Sequence, residues 1–190
     1  MKKLSFLSIF ILLISNEIAA QGPTKFVGPF AIREVVADVE TSPVISNEDA
    51  ADDICIYENI GNPEKSLIIA TDKKYGLVIY NLDGEILYDY PFGRVNNVDI
   101  INNFNFGGES FPLICGSNRS TNTIELYKLN VSDLSLELIL KDNNKSSLED
   151  VYGITFYNSN NGEYIFVSDK ETGEVEQWIV KKNNDSISIE

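Results

Sequence analysis

The chain has 190 residues, with 15 Lys+Arg against 29 Asp+Glu and no histidine, for a formal net charge of −14. The missing histidine excludes Ser-His-Asp and Cys-His nucleophile systems, a phosphohistidine intermediate and His-ligated zinc or haem. The acidic balance excludes nucleic acid held by general charge, because that mode needs a basic face. A phosphorylated ligand would need a local cluster of cations, or metal ions to bridge it.

At the amino terminus Lys2 and Lys3 precede an apolar run from Leu4 to Ile14, and Ser15, Asn16 and Glu17 lead into Ile18, Ala19 and Ala20. This is the layout of a secretory signal cleaved after Ala20. The apolar run is shorter than the roughly 20 residues of a spanning helix. The expectation is a secreted protein, extracellular or periplasmic, with residues 21–190 as the mature chain and no membrane attachment after cleavage.

An extended lead-in, residues 24–46, is followed by short β-rich runs at Asp53–Tyr57, Ser66–Thr71, Leu77–Leu82 and Glu85–Tyr90, with Asp83-Gly84 as a two-residue hairpin signal. The series returns as Val98–Asn102, Phe111–Ser117, Thr123–Leu129 and Leu136–Lys141. It returns again as Val151–Tyr157, Tyr164–Ser168, Glu174–Val180 and an unfinished Ser186–Glu190. No window carries a sustained helical period, so the predicted fold is all-β.

Single residues follow the same repeat. Thr71-Asp72-Lys73, Ser117-Asn118-Arg119 and Ser168-Asp169-Lys170 each close a second run, at spacings of 46 and 51. Tyr80, Tyr127 and Trp178 each lie late in a third run, at spacings of 47 and 51. Four strands in a period of roughly 45–50 residues is the signature of a β-propeller blade. A β-sandwich of the same strands is the competing architecture, which the four-strand recurrence disfavours.

Blade geometry then converts spacing into chemistry. The first strand of each blade lines a central channel, and the loop between strands two and three opens at the end where the first strand starts. That places Lys73, Arg119 and Lys170 around one axis, with Lys74 beside the first. It places Asp52-Asp53, Asp99 and Tyr152 at the starts of the channel strands. Carboxylates suit Ca²⁺ and Lys/Arg suit phosphate oxygens, so the set reads as a site for a phosphorylated ligand with a hard cation. Asp and Lys also cap turns at strand ends; recurrence in three blades is what favours a site.

The two cysteines, Cys55 and Cys115, sit in apolar strand-like runs. An oxidising compartment permits a disulfide between them, while lone buried cysteines are the favoured reading. Arg119 follows Cys115 too closely for the anion-cradling loop of a cysteine phosphatase, which needs more than the three residues that intervene.

At these residues the sequence resembles the β-propeller phytases, calcium-dependent secreted phosphatases of the 3-phytase type that release phosphate from inositol hexakisphosphate. The matching stretches are Ala51-Asp52-Asp53, the run Ser66 to Leu77, Tyr80 to Gly84, Gly93 to Asp99, Ser117 to Ser120, Asn122 to Ile124, Val151-Tyr152-Gly153, Asp169-Lys170 and Gly173 to Trp178. The resemblance implies that Asp53, with Asp52 beside it, binds calcium at the cleavage site. Lys73, Arg119 and Tyr152 are implied to contact the phosphate being cleaved. Lys74 and Lys170 are implied to contact neighbouring phosphates, and Asp99 to be a carboxylate lining the channel. It implies direct attack by a water that calcium activates, with neither histidine nor a covalent intermediate. It also implies a six-bladed ring, of which this chain supplies about three blades and the amino-terminal half. The expected partner is an inositol phosphate, with self-association through exposed blade faces. A competing expectation is a non-catalytic propeller segment that binds a phosphorylated ligand or a protein.

Overall fold

The computed structural model describes residues 36–140 and 144–190. The expected signal segment, residues 1–20, lies outside the described residues, as does Lys141 at the end of the eighth predicted run. Within the unit Ala37–Glu190 the strands are β1 (Ala51–Tyr57), β2 (Leu67–Asp72), β3 (Gly76–Tyr80), β4 (Ile86–Tyr90), β5 (Val95–Phe106), β6 (Glu109–Asn118), β7 (Thr123–Asn130), β8 (Ser135–Leu138), β9 (Val151–Ser159), β10 (Gly162–Asp169), β11 (Val175–Lys182) and β12 (Ile187–Ile189). A single 3-10 turn, Pro63–Lys65, is the helical element among the described residues.

The strands form three four-stranded antiparallel sheets in the orders β1-β2-β3-β4, β5-β6-β7-β8 and β9-β10-β11-β12. Their first strands lie side by side, β1 against β5 and β5 against β9. This is the up-and-down, face-to-face arrangement of propeller blades. The third sheet holds its fourth strand, Ile187–Ile189, paired with Val180–Lys182, so the run read as unfinished completes that blade.

The middle sheet is covered on both faces, which explains why β6 and β7 read as near-continuous apolar runs. Alternation along a strand sends neighbouring side chains to opposite faces. Ile114, Tyr127 and Leu129 pack with Cys55, Leu67, Ile69, Leu77 and Ile79 of the first sheet. Leu113, Cys115, Ile124 and Leu126 pack with Val151, Ile154, Ile165 and Val167 of the third. Cys55 and Cys115 are both buried and unpaired, and burial pushes both thiols up.

Part of the lead-in lies on the open face of the first sheet. Val44 packs against Ala70, Val78 and Tyr80, and Ser42 N–H donates to the Gly84 carbonyl at 2.7 Å. The loop at Gly84 is wider than the two-residue hairpin expected: Tyr80 pairs with Ile86, and Gly84 N–H closes a turn on the Asn81 carbonyl at 3.2 Å. Gly84 takes φ +80°, and a Cβ there would meet the Glu40 carbonyl oxygen at 2.5 Å. Glycine therefore serves both the turn and the crossing chain.

Candidate functional site

The recurring tripeptides have one backbone task per position. The first residue's hydroxyl accepts from a channel-strand N–H: Asp53 to Thr71 at 2.9 Å, Asn97 to Ser117 at 3.2 Å and Gly153 to Ser168 at 3.1 Å. The second residue's side chain accepts from the N–H two residues on, Asp72 from Lys74, Asn118 from Ser120 and Asp169 from Glu171, an Asx turn in each blade. The third residue's N–H donates to the carbonyl just before the channel strand, Lys73 to Ala50, Arg119 to Arg94 and Lys170 to Asp150. None of these bonds requires a charged side chain at the third position, yet all three blades place a cation there.

This register makes Asp52-Asp53, Asn96-Asn97 and Tyr152-Gly153 equivalent. It corrects the expected position of Asp99, because β5 begins at Val95 and the pair matching Asp52-Asp53 is Asn96-Asn97. Asp99 lies deeper along its strand, where Oδ2 accepts from Thr155 Oγ1 and Phe156 N–H, both at 2.8 Å. Its Oδ1 accepts from Ile100 N–H at 2.7 Å. With both oxygens engaged, Asp99 ties the second blade to the third.

At the channel-strand starts one hydrogen-bonded chain joins all three blades. Lys73 Nζ donates to Asp49 at 2.9 Å and Asp52 at 3.0 Å; Asp49 and Asp52 together hold its ammonium above the usual lysine range. Asn96 Nδ2 donates to the other Asp52 oxygen at 3.2 Å, and Asn96 Oδ1 accepts a longer bond from Arg119 Nη1 at 3.4 Å. Arg119 Nε and Nη2 donate to the two oxygens of Asp150 at 2.9 and 2.5 Å. The guanidinium carbon lies 5.4 Å from the Tyr152 ring centre, within cation–π range. Asp53 sits beside this chain, its Oδ2 accepting from Asn97 Nδ2 at 2.9 Å and Val98 N–H at 3.0 Å.

The structure thus brings together Lys73, Asp52, Asp53, Arg119 and Tyr152. Lys74 and Lys170 stand at its margins. Lys74 donates to the Asn47 carbonyl at 2.8 Å, and Lys170 pairs with Glu171 at 2.9 Å. Asp49, Asn96, Asn97 and Asp150 belong to the site without having been singled out by the sequence. The spacing from Asp52-Asp53 to Asn96-Asn97 was a usable signal; Asp49 and Asp150 have no recurrent counterpart.

Two cations with unspent N–H donors can take the oxygens of a phosphate. A resident calcium ion fits less well. It needs about six to eight oxygen ligands, and among the described residues no group of three or more acidic, Cys or His side chains is placed to hold a metal. Both Asp52 oxygens and one of Asp53 are already engaged. The donor set on these residues is therefore incomplete for calcium.

Comparison with known proteins adds two findings. The family model described as Phytase matches residues 3–188. The chain is 42% identical over 151 residues to a 3-phytase of Bacillus subtilis (strain 168), an alignment covering 76% of this chain and 39% of that protein. The chain thus spans well under half the length of this curated relative.

Proposed function

This chain belongs to the phytase family, and on that premise we propose that it supplies the phosphate-binding wall of a secreted, calcium-dependent phosphomonoesterase acting on myo-inositol hexakisphosphate. The observation that carries the reading is the continuous chain from Lys73 through Asp52, Asn96 and Arg119 to Asp150. It fixes two cations from successive blades beside a carboxylate pair. In this proposal Lys73 and Arg119 hold the oxygens of the phosphate being cleaved, with Tyr152 against Arg119. Lys74 and Lys170 meet neighbouring phosphates of the same ligand. Direct transfer of the phosphate to water is what the family resemblance implies, and it agrees with a chain in which Cys115 is fully buried and no histidine is present.

Calcium, if bound with the ligand, would be held in part by Asp53 and would supply positive charge against the ligand's phosphates. Millimolar calcium alone is then expected to leave the melting temperature of the chain unchanged. With inositol hexakisphosphate present, calcium should tighten binding, and Asp53→Asn should abolish that gain. A calorimetric titration with and without calcium checks both arms; a calcium effect of equal size in Asp53→Asn removes Asp53 from the metal's surroundings.

A second reading, a non-catalytic segment that captures phosphorylated ligand or a protein, draws on the incomplete carboxylate set among the described residues. Phosphate release from inositol hexakisphosphate with calcium present separates the two: binding without release by the purified chain favours capture.

Self-association is also part of the proposal. Ile54 and Ile56 alternate with Cys55 and stand 57% and 52% exposed on the far face of the first sheet. Tyr157 and Val175, 57% and 61% exposed, occupy the far face of the third. Apolar surface of this kind drives association. Light scattering of this chain alone should show species larger than one copy, and a concentration-independent monomer would overturn the expectation.

A further inference from the structure

A guanidinium has five N–H donors in a rigid fork. In Arg119, Nε and one Nη2 hydrogen are committed to Asp150, and an Nη1 hydrogen reaches Asn96. That leaves one hydrogen on each terminal nitrogen. The Arg119 side chain is 14% exposed and that of Asp150 is 29% exposed, so the pair lies at the surface of the site with only part of it wetted. Asp150 is itself fixed from behind. Its N–H donates to Asp169 Oδ2 at 3.0 Å, and its carbonyl accepts from Lys170 N–H at 3.1 Å. The Asp169 carboxyl that anchors it is held well below the usual carboxylate range by the backbone N–H groups of Asp150, Thr172 and Glu171. The third blade thereby presents a carboxylate to the cation of the second.

We propose that Asp150 is a positioning residue: it locks Arg119 through the Nε edge so that the remaining Nη1 and Nη2 hydrogens meet a phosphate oxyanion already oriented. The inference rests on the phosphate-binding reading above and adds a sign to it. A carboxylate next to a site for a polyanion should weaken binding by repulsion. As a positioning group it strengthens binding instead, because a preorganised fork loses less freedom on contact.

The test is a calorimetric cycle on the full chain with inositol hexakisphosphate, using the unmodified protein, Asp150→Asn, Arg119→Ala and the double variant. Asp150→Asn should weaken binding about tenfold despite removing a negative charge, and once Arg119 is alanine it should no longer weaken binding but leave it unchanged or tighten it, because the carboxylate then only repels the ligand. Asp150→Glu should recover part of the loss. Melting curves should show Asp150→Asn folded, since both backbone bonds of residue 150 survive the change. Unchanged or tighter binding by Asp150→Asn overturns the assignment and leaves the phosphate site standing. An equal loss with and without Arg119 also overturns it, because the effect would not pass through the guanidinium. No binding by the unmodified chain overturns this inference together with the phosphate-binding reading.

Discussion

Gly76→Ala should lower the melting temperature by roughly 6–12 °C, the shift expected when a domain of this size loses about 3 kcal/mol to overpacking. Gly76 opens β3 and pairs with Asp72. A Cβ there would lie 1.9 Å from the Tyr90 carbonyl oxygen and 2.7 Å from the Phe92 nitrogen. Both atoms are backbone, on the segment that carries the chain from the first sheet to the second, so no side-chain rotation relieves the overlap. The same movement would reach Tyr75, whose carbonyl accepts from Gly93 N–H at 3.0 Å, and through it the turn that holds Lys73. Gly61→Ala is the control, because its added methyl would meet only Asn59 Oδ1, at 3.6 Å. A thermal melt in which the two variants match would show that the crossing segment yields without cost.

Arg119→Ala should weaken binding of inositol hexakisphosphate by roughly 10–150-fold, the equivalent of a lost charge-assisted hydrogen bond of about 1.5–3 kcal/mol. The truncation does more than delete donors. It leaves Asp150, whose carboxyl Arg119 holds below the usual range, as an uncompensated negative charge facing a polyanion. Lys128→Ala removes the same formal charge from the outer part of the same blade, where Lys128 pairs with Glu109 at 3.0 Å. That variant should bind within about twofold of the unmodified chain. Titrations giving equal affinities for the two variants would sink the shared phosphate site.

The blade pattern was open to sequence reasoning because each residue of the recurrent tripeptide has a structural task. Thr71, Ser117 and Ser168 accept a channel-strand N–H, and any register that repeats must repeat them. Strand cores were legible for the same reason, since burial on both faces of the middle sheet forces the apolar runs of β6 and β7. The start of β5 was not. Asn96 and Asn97 have low strand propensity, and their pairing with β6 is broken by a register shift between Val95 and Val98. A strand that starts at Val98 points to Asp99 and away from Asn96, the buried amide that joins Asp52 to Arg119. Asp150 was invisible for a different reason. Its counterparts are Ala50 and Arg94, so only its carbonyl recurs, and the side chain that holds Arg119 is particular to the third blade.

The aromatic residues give the molecule separate optical reporters for its two inter-sheet seams. Tyr88, Tyr90, Phe92 and Tyr127 stack in a row from the first sheet into the second, with centroids 6.4, 5.3 and 4.8 Å apart. The sole tryptophan, Trp178, packs on the core between the second and third sheets. Its Nε1–H donates to Glu176 at 2.9 Å, and the same carboxylate holds Ser146 and Ser147 of the segment leading into the third blade. Loosening of that segment alone would alter indole fluorescence while leaving the near-ultraviolet dichroism of the tyrosine row intact. Coincident signals from the two chromophores would mean that the three blades open as one cooperative unit.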